Sequence, residues 1–148
     1  MPGSPLYERD FYAWANEQAA LLRKGRLAQA DIEHIAEEIE SMGRTEKREL
    51  VSRLAVLILH LLKWHYQPGL RGPSWRATIR LQRRDLTAHL DDNPCLKVLL
   101  PEAIERAYGN AVIQAEAETG PRESSYPAVC PWSFEQMIAE DFWPEGDA

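Results

Sequence analysis

Two groups of side chains have the types and spacing to do chemistry. In the first, His60 interrupts the apolar run Leu54 to Leu62. At helical spacing it shares a side with Arg53, Val56 and Trp64, so it should be at least partly buried. A buried imidazole needs polar partners. Glu38, at the margin of a neighbouring apolar stripe, could meet it, whereas Glu37 points away. Lys63 and Gln67 flank the same helix end, and Arg76 flanks an apolar face further on. A glutamate beside a histidine can exchange protons with a substrate, and an arginine can hold an anion or developing negative charge. Buried charges in helical bundles also pair simply to satisfy one another and fix helix register. The expectation is therefore a polar cluster of Glu37, Glu38, His60, Lys63, Trp64, Gln67 and Arg76, with no catalytic residue assigned.

The second group is basic: Arg71, Arg76, Arg80, Arg83 and Arg84, of which Arg76, Arg80 and Arg84 recur every fourth residue as a ridge. Such a ridge can hold phosphate, an acidic protein, or the acidic end of its own chain. Residues 102–148 carry 2 basic and 10 acidic groups, against 15 and 13 before them. The same C-terminal stretch carries Trp132, Phe134, Phe142 and Trp143, which should wrap onto the helices. Arg80, Arg84 and Trp143 are accordingly the candidate partner surface.

Other chemistries lack their signatures. The sequence contains no G-x-x-x-x-G-K-[ST], G-x-G-x-x-G, G-x-S-x-G or H-E-x-x-H, and no pair of E-x-x-H helices for a di-iron centre. His34 to Glu38 resembles an inverted zincin motif but lacks the second histidine, and His34 lies opposite the apolar stripe of its helix. His60 and His65 are about 140° apart around a helix, unsuited to one metal ion. Cys95 and Cys130 form no C-x-x-C pair and read as free structural thiols. No metal and no cofactor is expected.

The elements that position these residues read as helices between proline and glycine breaks. With 148 residues, 45% hydrophobic and 27% charged, the chain suits one ordinary globular domain that needs no disulfides. A first helix aligns Phe11, Trp14, Gln18, Leu21 and Leu22, with Gly25 just past its end. Asp31 caps a second, striped by Ile32, Ile35, Ala36, Ile39 and Met42, which Gly43 either ends or bends. A third runs from about Thr45 to Gln67, apolar nearly all round and therefore central, until Pro68 stops it. Ser74 caps a fourth, ended by Asn93-Pro94, and Pro101 opens a fifth on an alanine-rich face with Gly120 past its end. Ser133 and Gln136 spell a capping box for a last short helix. No strand pattern competes.

Several of these segments together resemble a known family: Tyr7 to Trp14 (Y-E-R-D-F-Y-A-W), Ala36 to Gly43 (A-E-E-I-E-S-M-G), His60 to Trp64 (H-L-L-K-W), Gln67-Pro68, Ser74 to Ile79 (S-W-R-A-T-I), Glu118 to Gly120 (E-T-G) and Asp141 to Pro144 (D-F-W-P). In this order, from about residue 6 to 144, they look like the bacterial family called domain of unknown function 29. The resemblance implies a small helical bacterial protein and carries no activity, cofactor or catalytic residue with it. Its motifs include Trp14, Glu37, Glu38, His60, Lys63, Trp64, Gln67, Trp75 and Arg76.

The expectation is thus an all-α protein: a flexible segment 1–5, a single helical domain 6–144 of four longer helices plus short C-terminal ones, and an acidic tail 145–148. Met1-Pro2-Gly3-Ser4-Pro5 has neither the basic start nor the apolar stretch of a signal peptide, and no run approaches a membrane span, so the expected location is the cytoplasm. Missing catalytic motifs and the acidic, aromatic C-terminal third favour a non-enzymatic protein acting through contacts with an unidentified protein partner. The alternative is a small-ligand binder or enzyme using the Glu/His/Lys/Arg cluster. A third reading is weak nucleic-acid binding through the arginine ridge, which a net charge of −6 disfavours. Self-association is left open.

Overall fold

A computed structural model describes residues 5–119 and 125–144. Residues 1–4 of the segment 1–5 expected to be flexible, Gly120 and the tail 145–148 lie outside the described residues, while Pro5 is the first residue of a helix. Among those described there is no strand, and the helices are α1 (Pro5–Arg9), α2 (Phe11–Arg23), α3 (Ile32–Tyr66), α4 (Pro73–Asp92), α5 (Leu100–Thr119) and α6 (Phe134–Ile138). Short 3₁₀ turns at Pro68–Leu70 and Pro94–Leu99 precede α4 and α5. The all-α architecture with four longer helices is as expected. None of the helices described is long and apolar enough to cross a membrane.

Local chemistry accounts for the ends. Asp10 accepts from the Ala13 N–H at 3.0 Å and opens α2. At the other end Gly25 adopts φ 70°. Its N–H bonds to Leu22 O at 3.0 Å, while that of Arg26 reaches Leu21 O at 2.9 Å. This is a Schellman ending, which only a residue tolerant of positive φ allows cheaply. Ser133 and Gln136 complete both halves of their capping box, at 3.1 and 2.9 Å. Two expectations shift. Gly43 neither ends nor breaks a helix, because α3 continues through it to Tyr66. Helix α4 begins at Pro73 with Gly72 as its cap rather than at Ser74, since proline's fixed φ and missing N–H suit the first helical position.

The chain separates into two compact units, one reaching to Thr45 and one starting at Glu46. In the first, aromatic and polar side chains do the packing. Tyr7 stacks on His34 with ring centroids 3.9 Å apart and meets Trp14 edge-on at 4.8 Å. Asp31 accepts from Trp14 Nε1 at 3.2 Å and lies 2.8 Å from His34 Nδ1, while Gln18 accepts from the Asp31 N–H at 2.7 Å. The Tyr7 hydroxyl donates to Glu38. The apolar stripe of Ile32, Ile39 and Met42 is exposed, so this stretch of α3 turns its polar face, not its apolar one, toward α1 and α2.

In the second unit the remainder of α3 is buried over Leu50, Leu54, Leu57, Ile58, Leu61 and Leu62. Around it pack Ile79, Leu86 and Leu90 of α4, the alanine face of α5 (Ala103, Ala107, Ala111, Ala115), Tyr126 and Met137. Small alanines let α5 approach closely, and the Tyr108 hydroxyl donates to Pro127 O at 2.7 Å to hold the following connector. The thiols stay free, Cys95 exposed and Cys130 half-buried, and burial pushes the Cys130 thiol up, away from the reactive thiolate.

The first unit should respond to pH through Asp31 and His34. Partial burial pushes the Asp31 carboxyl up, but hydrogen bonds from His34 and Trp14 outweigh it and hold it below the usual value. The hydrogen bond to Asp31 raises His34. Stability from Asp31 is lost as pH falls through its lowered pKa, and that from His34 is lost as pH rises through its raised one. The pair therefore contributes most between about pH 4 and 6.5. Amide exchange at residues 31–35 should be slowest in that window and speed up toward pH 8.5, after correction for intrinsic rates; an Asp31→Asn variant should lose this dependence. A flat profile in the parent would refute the pairing.

Candidate functional site

Helix α4 carries most of the residues that shape a cleft. Arg83, on the same face as Ile79 and Leu86, is only 3% exposed. Among the described residues no carboxylate answers this charge by direct contact; three backbone carbonyls do. Nε donates to Met137 O at 2.7 Å, and the two terminal nitrogens donate to Phe142 O at 2.6 Å and Glu140 O at 3.4 Å. Burial pulls the Arg83 pKa down, while Asp141 and Glu140 offset part of that cost. The guanidinium thereby fastens α6 and the following residues across α4.

This brings Trp143 against Trp64 at the buried end of α3, with ring centroids 4.6 Å apart. Cations cover both indoles: Arg76 lies 5.2 Å from the Trp64 ring and 5.1 Å from that of Trp143, Arg71 is 5.1 Å from Trp64, and Arg83 is 5.2 Å from Trp143. Each such contact contributes on the order of 0.5–2 kcal/mol, according to how far it is desolvated. Arg71 Nε also donates to Trp64 O at 2.8 Å, while the buried Trp64 Nε1 has no acceptor among the described residues.

Beside this stack lies a cleft of about 950 Å³. Arg76, Arg80, Arg83 and Arg84 line it with Leu81, Ile138, Glu140 and Trp143. Arg76, Arg80 and Arg84 are exposed, and no carboxylate among the described residues forms an ion pair with them. The cleft can hold anionic groups on its basic ridge and an apolar group against Leu81, Ile138 and Trp143. Arg80, Arg84 and Trp143 thus line one surface, and Arg76 borders it.

The remaining residues of the polar cluster sit in several settings. Glu38 belongs to the first unit and accepts from Tyr7, holding the phenol up at about 12. Glu37 is exposed. In the second unit His60 is half-buried with Nδ1 2.8 Å from Val56 O, one turn back on its own helix, and burial pulls its pKa down. Lys63 pairs with Glu118 at 3.1 Å and lies 5.2 Å from the Trp75 ring. The Gln67 N–H closes the last turn of α3 on Lys63 O at 2.8 Å. Lys63, Trp64 and Arg76 thus flank one aromatic corner.

The sequence reading passed over His89, buried near the end of α4 beside Glu46 and Glu49 of α3. The signal was its spacing, three residues after Leu86, which places it on the core face.

Compared with known families, the chain matches the profile of Domain of unknown function DUF29 over residues 6–143. It belongs to that family. No curated protein and no solved structure gives a significant match. The match spans the elements just described, from α1 to Trp143, and attaches no activity to them.

Replacing Arg83 by methionine should cost about 3 kcal/mol, because it strands buried carbonyls as well as removing charged hydrogen bonds. Lysine should recover less than roughly half of that, since one ammonium cannot reach carbonyls spread from Met137 to Phe142. Urea melts of the three proteins check this; equal midpoints would show that Arg83 does not hold the C-terminal segment.

Proposed function

We propose that the protein is a non-enzymatic docking module whose α4 cleft receives an acidic segment of a partner protein, acting in the cytoplasm. One observation carries this reading: Arg80 and Arg84 stand exposed, without an ion-pairing carboxylate among the described residues, on a cleft with an apolar wall. Side chains of this composition recognise a carboxylate-bearing chain that also presents an apolar or aromatic residue. The settings of His60 and Lys63 speak against an enzyme built on the polar cluster, because each is already committed to a structural partner. The net charge of −6 opposes an acidic protein segment and nucleic acid alike, so either would have to be recognised through this local ridge and the test must separate the two.

Fluorescence anisotropy with labelled peptides of alternating glutamate and leucine or phenylalanine provides that test. The parent should bind with an affinity that falls as salt rises. Arg80→Glu/Arg84→Glu should weaken binding at least roughly tenfold, and Trp143→Ala should reduce the preference for the apolar residue. An affinity untouched by the double charge reversal, or a tighter complex with single-stranded or duplex oligonucleotides at matched salt, would overturn the proposal.

A further inference from the structure

Away from the cleft, His89 of α4 meets Glu46 and Glu49, one turn apart on α3. His89 is 6% exposed, and its Nε2 lies 2.9 Å from Glu46 O. A carbonyl only accepts, so Nε2 carries a proton and Nδ1 is the nitrogen turned toward the glutamates, where it donates when protonated and offers its lone pair to an ion when not. That nitrogen lies 2.9 Å from Glu49 Oε2 and 3.6 Å from Glu46 Oε2. One donor atom from each of the three residues lies within 4.8 Å of the others. Nδ1 and two carboxylates therefore face one another, an arrangement that a cation stabilises.

We propose that Glu46, Glu49 and His89 form a binding site for a first-row divalent ion of the zinc type. The separations support this. With bonds of about 2.1 Å, neighbouring ligands stand about 3.0 Å apart around an octahedral ion and about 3.4 Å apart around a tetrahedral one. The two separations from Nδ1 match those edges. The ring is also oriented as in metal sites, where the second imidazole nitrogen donates to a carbonyl or carboxylate. Here that carbonyl is supplied by Glu46, itself a ligand.

Arg53 donates to Glu49 Oε2 at 3.2 Å and to Asp85 at 3.1 Å. A carboxylate oxygen has two lone pairs, so Arg53 orients Glu49 while leaving a second lone pair for the ion. One imidazole with two carboxylates suits zinc, cobalt or nickel better than magnesium or calcium, which favour all-oxygen shells. The glutamate side chains, 46% and 43% exposed, leave a path from solvent and room for water ligands. Bound there, the ion ties α3 to α4.

Isothermal titration of the full chain with zinc chloride at pH 7.5 under reducing conditions tests the site. One ion per chain should bind, with a rise in melting temperature that equal magnesium does not produce. Glu46→Gln and Glu49→Gln, conservative changes at partly exposed positions, should keep the helical circular dichroism and weaken zinc at least roughly tenfold. His65→Gln and Cys95→Ser should leave binding unchanged. Cobalt should give visible bands that both glutamine variants diminish. Failure to take up zinc, uptake undiminished in the glutamine variants, or uptake abolished by the His65 or Cys95 change would each overturn the proposal; a ring protonated at Nδ1 by nitrogen NMR, with no zinc uptake, would identify a proton as the cation instead.

Discussion

A buried positive charge that finds no contacting carboxylate among the described residues governs the second unit. Arg83 cannot be withdrawn from water without hydrogen-bond acceptors, and the segment after α6 cannot be covered without donors. A five-residue helix leaves most of its carbonyls without an intrahelical partner, and the irregular residues after it add more. The guanidinium fork meets three of these carbonyls at once. Two deficits cancel, and the pairing fixes where the C-terminal aromatics lie.

The electrostatics of the cleft follow from that placement. Trp143 rests against Trp64, and Arg76 lies near both rings, so part of the basic surface is held by π faces rather than by carboxylates. Such contacts position a guanidinium without neutralising it. The positive potential therefore remains available along Arg76, Arg80 and Arg84, while Glu140, which also lines the cleft, limits how much anion it can attract. An acidic protein can keep one locally basic surface in this way.

Local signals made much of this architecture legible. Gly25, Asp31, Pro68, Asn93-Pro94 and the Ser133/Gln136 box act over one turn, and each marks an element boundary. The first unit was less readable because its packing uses the side of α3 opposite the apolar stripe. A stack of Tyr7 on His34 and hydrogen bonds to Asp31 and Glu38 replace aliphatic burial, and α1 is too short to show a period. At the cleft, the i, i+4 spacing of Arg80 and Arg84 is a local feature and was visible. That Trp143 joins them depends on hydrogen bonds spanning 54 to 59 residues, for which no local pattern exists. His89 escaped notice because its partners, Glu46 and Glu49, lie far back in the sequence on another helix.

The contact between Trp64 and Trp143 also has an optical consequence. Two indoles with centroids 4.6 Å apart and planes inclined by 43° couple their electronic transitions. One ring belongs to α3 and the other to the segment that Arg83 fastens down. The protein therefore contains a chromophore pair whose exciton signal exists only while its C-terminal segment is seated, so detachment of that segment can be distinguished spectroscopically from loss of helix.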